Sequence, residues 1–190
     1  MFDEIRSTCF PVQLTDTISI RPTDGETMFA VARSLYTDVF TPLGDLGLFQ
    51  QPAERKASQK PLRQAFSGRH VEFFLFYDGD EPFGWSFGEQ RDAETFFMTW
   101  TGVHPVYQRR GIYSAFLLEL IPYLKQIGYE RVTSNHAVNN NPVIIAKLKA
   151  GFHIMSMSLD ERFGAVVDLV YYLHADRKAG FESAFSLPTY

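Results

Sequence analysis

Two aromatic stretches constrain this chain more than anything else in it. Val71-Glu-Phe-Phe-Leu-Phe-Tyr and Phe83-Gly-Trp-Ser-Phe-Gly are rich in the residue types that strands favour. They flank Asp78-Gly79-Asp80-Glu81-Pro82, whose Gly and Pro supply turn conformations. The pattern predicts an antiparallel hairpin. Successive strand residues point to opposite faces, and here both alternating sets are bulky. Both faces of such a hairpin need cover, so helices are expected on one and more protein or a ligand on the other.

Around the hairpin the periodicity predicts a mixed α/β sheet with interleaved helices. Thr17-Ile-Ser-Ile-Arg alternates as a half-buried strand, and Met28, Val31, Ala32, Leu35 and Val39 recur at helical spacing after Pro22 and Gly25. Thr95-Phe-Phe-Met-Thr-Trp-Thr-Gly-Val continues the sheet. A helix follows with Ile112, Phe116, Leu120, Tyr123, Leu124 and Ile127 on one face; Pro122 should kink it and Gly128 end it. Arg131-Val-Thr-Ser-Asn is a short strand. A helix capped by Asn141, with Pro142 in its first position, then carries Ile144, Ile145 and Leu148 to Gly151. Phe152-His-Ile-Met-Ser-Met and Ala165-Val-Val-Asp-Leu-Val-Tyr-Tyr-Leu are two final strands. The polar run Gln50-Gln-Pro-Ala-Glu-Arg-Lys-Ala-Ser-Gln-Lys-Pro reads as a mobile insertion or a surface helix.

At 190 residues with 45% hydrophobic content, one domain spanning 1–190 is expected. A net charge of -4 argues against a nucleic-acid partner, which needs a basic face. No apolar run is long enough for a signal peptide or a membrane span. Cys9 is the only cysteine, so an internal disulfide and a multi-thiolate zinc site are excluded, and a cytoplasmic protein without a metal is expected.

Chemistry concentrates in Val103-His-Pro-Val-Tyr-Gln-Arg-Arg-Gly-Ile-Tyr-Ser-Ala-Phe-Leu, a strand end leading through a basic loop into a helix. The first turn of a helix offers unpaired N–H groups and the positive end of the dipole, and a glycine lets an anion approach the backbone. Arg109 and Arg110 add local positive charge. Phosphate suits such a junction, although a basic pair at a helix start is more often a solvated terminus.

This segment resembles the acetyl-coenzyme A signature of the GNAT superfamily, a strand ending V-x-P followed by Q/R-x-x-G-x-G/A. Gln108, Arg109, Arg110, Gly111 and Ile112 match it, and Ile18-Ser-Ile-Arg-Pro-Thr-Asp, Asn140-Asn-Pro and Lys149-Ala-Gly-Phe resemble further family segments. The resemblance covers residues 17–173, leaving an extension at 1–16 and a tail at 174–190. It implies a mostly antiparallel sheet whose two central parallel strands splay apart. It also implies N-acetyl transfer from acetyl-coenzyme A to a primary amine within a ternary complex, and leaves the acceptor, small molecule or protein, open. The coenzyme pyrophosphate would bind at Gln108 to Tyr113 and pantetheine beside Val103. Asn140 would bond the pantetheine arm, or serve as a loop or capping residue. The amine would arrive from the opposite side, where the aromatic face suggests an apolar pocket.

Two positions depart from the family pattern. Tyr113 stands where the loop usually has Gly or Ala, and its plainer role is a helix-surface aromatic. Lys147 stands seven residues after Asn140, where many members place a tyrosine that protonates the departing thiolate. An ammonium there could support the thiolate, and the plainer reading is a solvated lysine beside Lys149. Candidates for the base are His136, Glu89 and Glu94, with His104 nearer the coenzyme loop; Phe97 occupies the strand position where some relatives carry a glutamate. A catalytically degenerate acyl-coenzyme A sensor is the alternative to an enzyme. Phe181 and Phe185, one helical turn apart in the tail, suggest a contact surface that docks on its own domain or joins two copies of the chain, with the dimer favoured because the family core closes without the tail.

Overall fold

The aromatic hairpin forms as β3 (Val71–Asp78) and β4 (Glu81–Gln90), reversing through Gly79 at a φ of 61°. In this computed structural model, which describes residues 1–40, 52–161 and 163–185, the hairpin lies within an eight-stranded sheet. The other strands are β1 (Val12–Gln13), β2 (Ile18–Pro22), β5 (Thr95–Val103), β6 (Arg131–Ala137), β7 (His153–Asp160) and β8 (Gly164–Tyr172). Their order across the sheet is β1-β2-β3-β4-β5-β6-β8-β7. Every neighbouring pair is antiparallel except β5 and β6, which run parallel.

One face of the sheet is covered by α5 (Ile112–Ile127), which buries Ile112, Phe116, Leu117, Leu120, Tyr123 and Leu124. These side chains join Ile20, Phe74, Phe76, Phe96 and Val132 in the larger core cluster. Each large side chain taken fully out of water contributes about 1.5–3 kcal/mol, so this helix is the main anchor of that face. It is assigned without interruption through Pro122 and ends at Gly128 in the left-handed conformation.

The second face of the hairpin is also filled by protein. Helix α2 (Gly25–Val39), capped by Asp24 through its bond from the Thr27 amide at 2.8 Å, sets Met28 and Ala32 on Leu75 and Trp85. Phe29, Tyr36 and Phe40 gather around the Trp100 ring at 6.2–6.3 Å between centroids. The expected apolar pocket on this face is therefore corrected: over β3 and β4 its place is taken by α2.

The segments flanking the core, as far as residue 185, are built into the domain. Helix α1 (Phe2–Cys9) lies against α5, and β1 pairs with β2. Arg6 reaches the buried carboxylate of Glu72 at 3.4 Å, which also takes bonds from His70 at 2.7 Å and from the Tyr123 hydroxyl. At the other end α7 (Ala175–Phe185) places Phe181 against His153 and Tyr172 of its own chain, at 5.3 and 5.2 Å. Arg177 clamps the helix to Glu94 and Glu130 at 2.9 and 3.4 Å. Phe181 thus finds cover within its own domain, and Phe185 alone stays exposed.

Two further expectations are refined. The polar run contributes α3 (Ala53–Ser58) and α4 (Lys60–Phe66), while its first two residues, Gln50 and Gln51, lie outside the described residues. Helix α6 (Asn141–Lys149) begins at Asn141, with Asn140 at the capping position but making no side-chain cap bond, so Pro142 occupies the second helical position, where a missing N–H is also harmless. No helix among the described residues is long and apolar enough to cross a membrane.

Candidate functional site

Strands β5 and β6 are paired only over Thr95–Phe97 and Arg131–Thr133, and part beyond that point. Across β5's other edge the register slips: Phe87 faces Trp100 while Gly88 faces Met98, leaving Thr99 as an extra residue. A bulge of this kind bends its strand and sharpens the twist. The gap between β5 and β6 therefore opens at Met98 and Ser134, beside the bulge.

The gap leads to the loop at the end of β5. After Val103 the chain makes a single 3-10 turn, Pro105–Tyr107, and Gln108 folds back to donate from Nε2 to the Val103 carbonyl at 2.8 Å. Tyr107 stacks on Phe83 at 3.9 Å and bonds Asp78 at 3.0 Å, fixing the turn to the hairpin. Arg109 then takes a φ of 62° and Gly111 a φ of 79°. No side chain caps the first turn of α5, which leaves its N–H groups for an external acceptor. A Cβ at Gly111 would meet nothing within 4 Å, so it is the backbone conformation, with open space before it, that calls for glycine here. Arg109 and Arg110 are exposed beside it, and neither pairs with a carboxylate among the described residues.

Lys147 closes the inner end of the gap. Far from the solvated lysine of the plainer reading, it is 0% exposed. Its Nζ donates to Ser134 Oγ at 2.5 Å and to Met98 Sδ at 3.3 Å, so it spans the two strands just where they part. The ammonium also lies 4.6 Å from the centre of the Phe152 ring. No carboxylate approaches it among the described residues, and burial pushes its pKa down to about 7. His136 Nε2 completes a chain with Ser134 Oγ at 3.1 Å.

Residues 32–152 match the family model of the acetyltransferase (GNAT) family. The chain belongs to that family. Solved structures share the fold of this acetyltransferase at low sequence identity. A Salmonella typhimurium protein assigned as an acetyltransferase, solved with its cofactor acetyl-CoA, is 14% identical, with 84% of this chain and 96% of that one covered at a TM-score of 0.60. The ribosomal-protein-S18-alanine N-acetyltransferase of Escherichia coli is 14% identical, covering 82% and 94% at 0.60. The Salmonella typhimurium acetyl transferase that modifies the N-terminal serine of ribosomal protein L7/L12 is 15% identical, covering 86% and 99% at 0.60. No curated protein matches the chain in sequence.

The remaining expected site residues of the acetyltransferase separate into those near the gap and those away from it. Asn140 is exposed at the start of α6, makes no side-chain cap bond, and holds its turn through backbone bonds to Ala137 and Ile144. Tyr113 does not lie on the helix surface; it packs against the core cluster, where burial raises its hydroxyl pKa. His136 shares the α5 face of β6 with Val132 and Ser134. Burial, and then the charge of Lys147, pushes its pKa down to about 3, so it is neutral and a weak proton acceptor. Glu94 lies in the turn before β5, at the opposite end of the strand from Val103, tied to Arg177. Glu89 pairs with Arg69 at 3.2 Å, and His104 faces Asp38 at 3.8 Å.

The sequence reading placed Ser134 on a strand without giving its hydroxyl a role, and missed everything on the other face of β6. There Thr133 and Asn135 floor a polar groove of about 440 Å³, walled by Asp168 and Ser156 on one side and by Arg91 and Arg131 at one end. Neighbouring residues of a strand face opposite ways, so Thr133 and Asn135 bracket Ser134 while lining a different surface. The only advance signal was Asp168 itself, a charge within the apolar run Ala165 to Leu173.

Proposed function

We propose that this acetyltransferase moves the acetyl group of acetyl-coenzyme A to a primary amine by direct attack within a ternary complex. The buried ammonium of Lys147 at the parting of β5 and β6, with no carboxylate beside it among the described residues, carries this reading. A desolvated charge without a counter-ion is costly in a folded protein and concentrates at sites that handle the opposite charge. A thiolate leaving in the gap is such a charge. Lys147 stabilises it, or hands it a proton, and a pKa near neutrality suits either task.

The rest of the site is consistent with this assignment. The free N–H groups of the first turn of α5, the open approach to Gly111 and the unpaired Arg109 and Arg110 suit a pyrophosphate. The edge of β5 around Val103 suits an extended pantetheine arm, with the Asn140 side chain free to bond it. None of the residues first considered as base combines position and basicity, since the depressed pKa of His136 makes it a weak proton acceptor and Glu94 and Glu89 are ion-paired. We assign the acceptor to the opposite face of the sheet and a cytoplasmic setting to the protein, the latter on its single cysteine.

Release of free thiol from acetyl-coenzyme A, followed with a panel of primary amines, tests the proposal. Amine-dependent release is expected. Coenzyme binding with no stimulation by any amine would replace the enzyme by an acyl-coenzyme A sensor.

A further inference from the structure

Asp168 is oriented but not neutralised. Its Oδ2 accepts hydrogen bonds from Ser156 Oγ at 2.7 Å and Ser158 Oγ at 3.0 Å, both from the edge strand β7. Both donors are neutral, and no basic group among the described residues lies within ion-pair distance of the carboxylate. The basic end of the same groove is already satisfied: Arg131 bonds Thr95 Oγ1 at 2.7 Å and pairs with Asp92 at 3.6 Å, and Arg91 lies over the Phe97 ring at 4.9 Å. A second, independent observation is Thr133, a residue of the groove lining that is only 6% exposed, whose buried Oγ1 has no hydrogen-bond partner among the described residues. A buried hydroxyl left unpaired is uncommon enough to call for an external group. The groove therefore asks for a cation that also donates hydrogen bonds, which is what an ammonium provides.

Its position says which ammonium. Asp168 pairs with Asn135 across β8 and β6, and β6 is also one wall of the gap where Lys147 sits. Adjacent strands are about 4.8 Å apart, so a carboxylate one strand beyond β6 stands roughly 5–10 Å from a nucleophile in the gap. That is too far to hold the reacting nitrogen itself and fits a second one carried on a short chain. Resting on the acetyl-transfer reading above, we infer that the acceptor is a short aliphatic diamine, its non-reacting ammonium bound by Asp168 and Thr133 while its other nitrogen enters the gap. The reacting nitrogen, as free amine, forms the carbon–nitrogen bond as the carbon–sulfur bond breaks. The proton it sheds leaves on the sulfur, and the ammonium at Asp168 is unchanged.

The test compares 1,4-diaminobutane with 1-aminobutane, of equal carbon length, in the wild type and in Asp168→Asn. A charge-assisted bond to the second ammonium should give the wild type a preference for the diamine of about tenfold or more in kcat/KM, and the variant should lose most of it. Equal kcat/KM for the two amines in the wild type, or an undiminished preference in Asp168→Asn, overturns the inference. Should neither amine, nor any other, support turnover, the transfer reading falls by itself. Calorimetry of 1,4-diaminobutane with the coenzyme A complex then decides the groove: tighter binding than 1-aminobutane supports it and equal affinity refutes it. Coenzyme A binding by Asp168→Asn reports whether its fold is intact, and if it is not, the wild-type comparison of the two amines stands alone as the deciding measurement.

Discussion

A buried lysine with no carboxylate beside it gives up its proton more readily than one in solution, and among the described residues Lys147 is placed in that way. Lys147→Met keeps the length of the side chain and removes the charge. It should lower kcat by about 10- to 100-fold with little change in coenzyme affinity, because the ammonium acts on charge that develops only as sulfur leaves. Steady-state kinetics and coenzyme titration of the variant check this, and full retained turnover would remove Lys147 from the mechanism. The same substitution should raise stability by about 1–3 kcal/mol below pH 7, since a buried charge is replaced by an apolar group. The folded pKa of about 7 lies below the ordinary 10.5, so the penalty is complete below pH 7 and fades as pH rises toward 10. Denaturant titrations at pH 6 and pH 9 measure it; an equal stability difference at both would contradict the burial argument. The family likeness singled out Lys147 in the sequence, but its burial was hidden because α6 inverts its apolar pattern. Ile145 and Leu148 are 50% and 40% exposed while Lys147 points inward, and local hydropathy assigns the opposite.

At the scale of elements, the strand, loop and helix proposed to bind the coenzyme phosphates were legible as a junction, since Gly111 and the basic pair announce themselves in a short stretch of chain. Gly111→Asp tests that junction by putting a carboxylate before the first-turn N–H groups. Coenzyme A affinity should fall by about tenfold or more, equivalent to about 1.4 kcal/mol, and the left-handed φ should cost the fold about 1 kcal/mol. Calorimetry on the folded variant reads the first and thermal unfolding the second; unchanged affinity would move the coenzyme elsewhere. The bulge at Thr99 and the parting of β5 from β6 were not legible. Register is set by partners far along the chain: at Gly102, for instance, an added Cβ would lie 2.4 Å from the Trp85 ring, a contact no local pattern reveals.

For the molecule as a whole, the aromatic hairpin correctly implied a sheet covered on both faces, yet it could not say that α2 would fill the second face over β3 and β4 and leave a polar groove over β6, β8 and β7. The segments before and after the family core pack into the domain as far as residue 185, because Arg6 answers the buried Glu72 and Phe181 answers His153 and Tyr172, partners on strands outside those segments. Such pairings are decided by tertiary contact and have no signature in periodicity. What joins these scales is the claim that one continuous site runs from the first turn of α5, along the edge of β5, to Lys147. A crystal structure of the protein with acetyl-coenzyme A measures this directly. The pyrophosphate is predicted over Gln108 to Tyr113 and the thioester sulfur within hydrogen-bond reach of Lys147 Nζ; a coenzyme bound outside the gap between β5 and β6, or a sulfur remote from Lys147, would contradict the account.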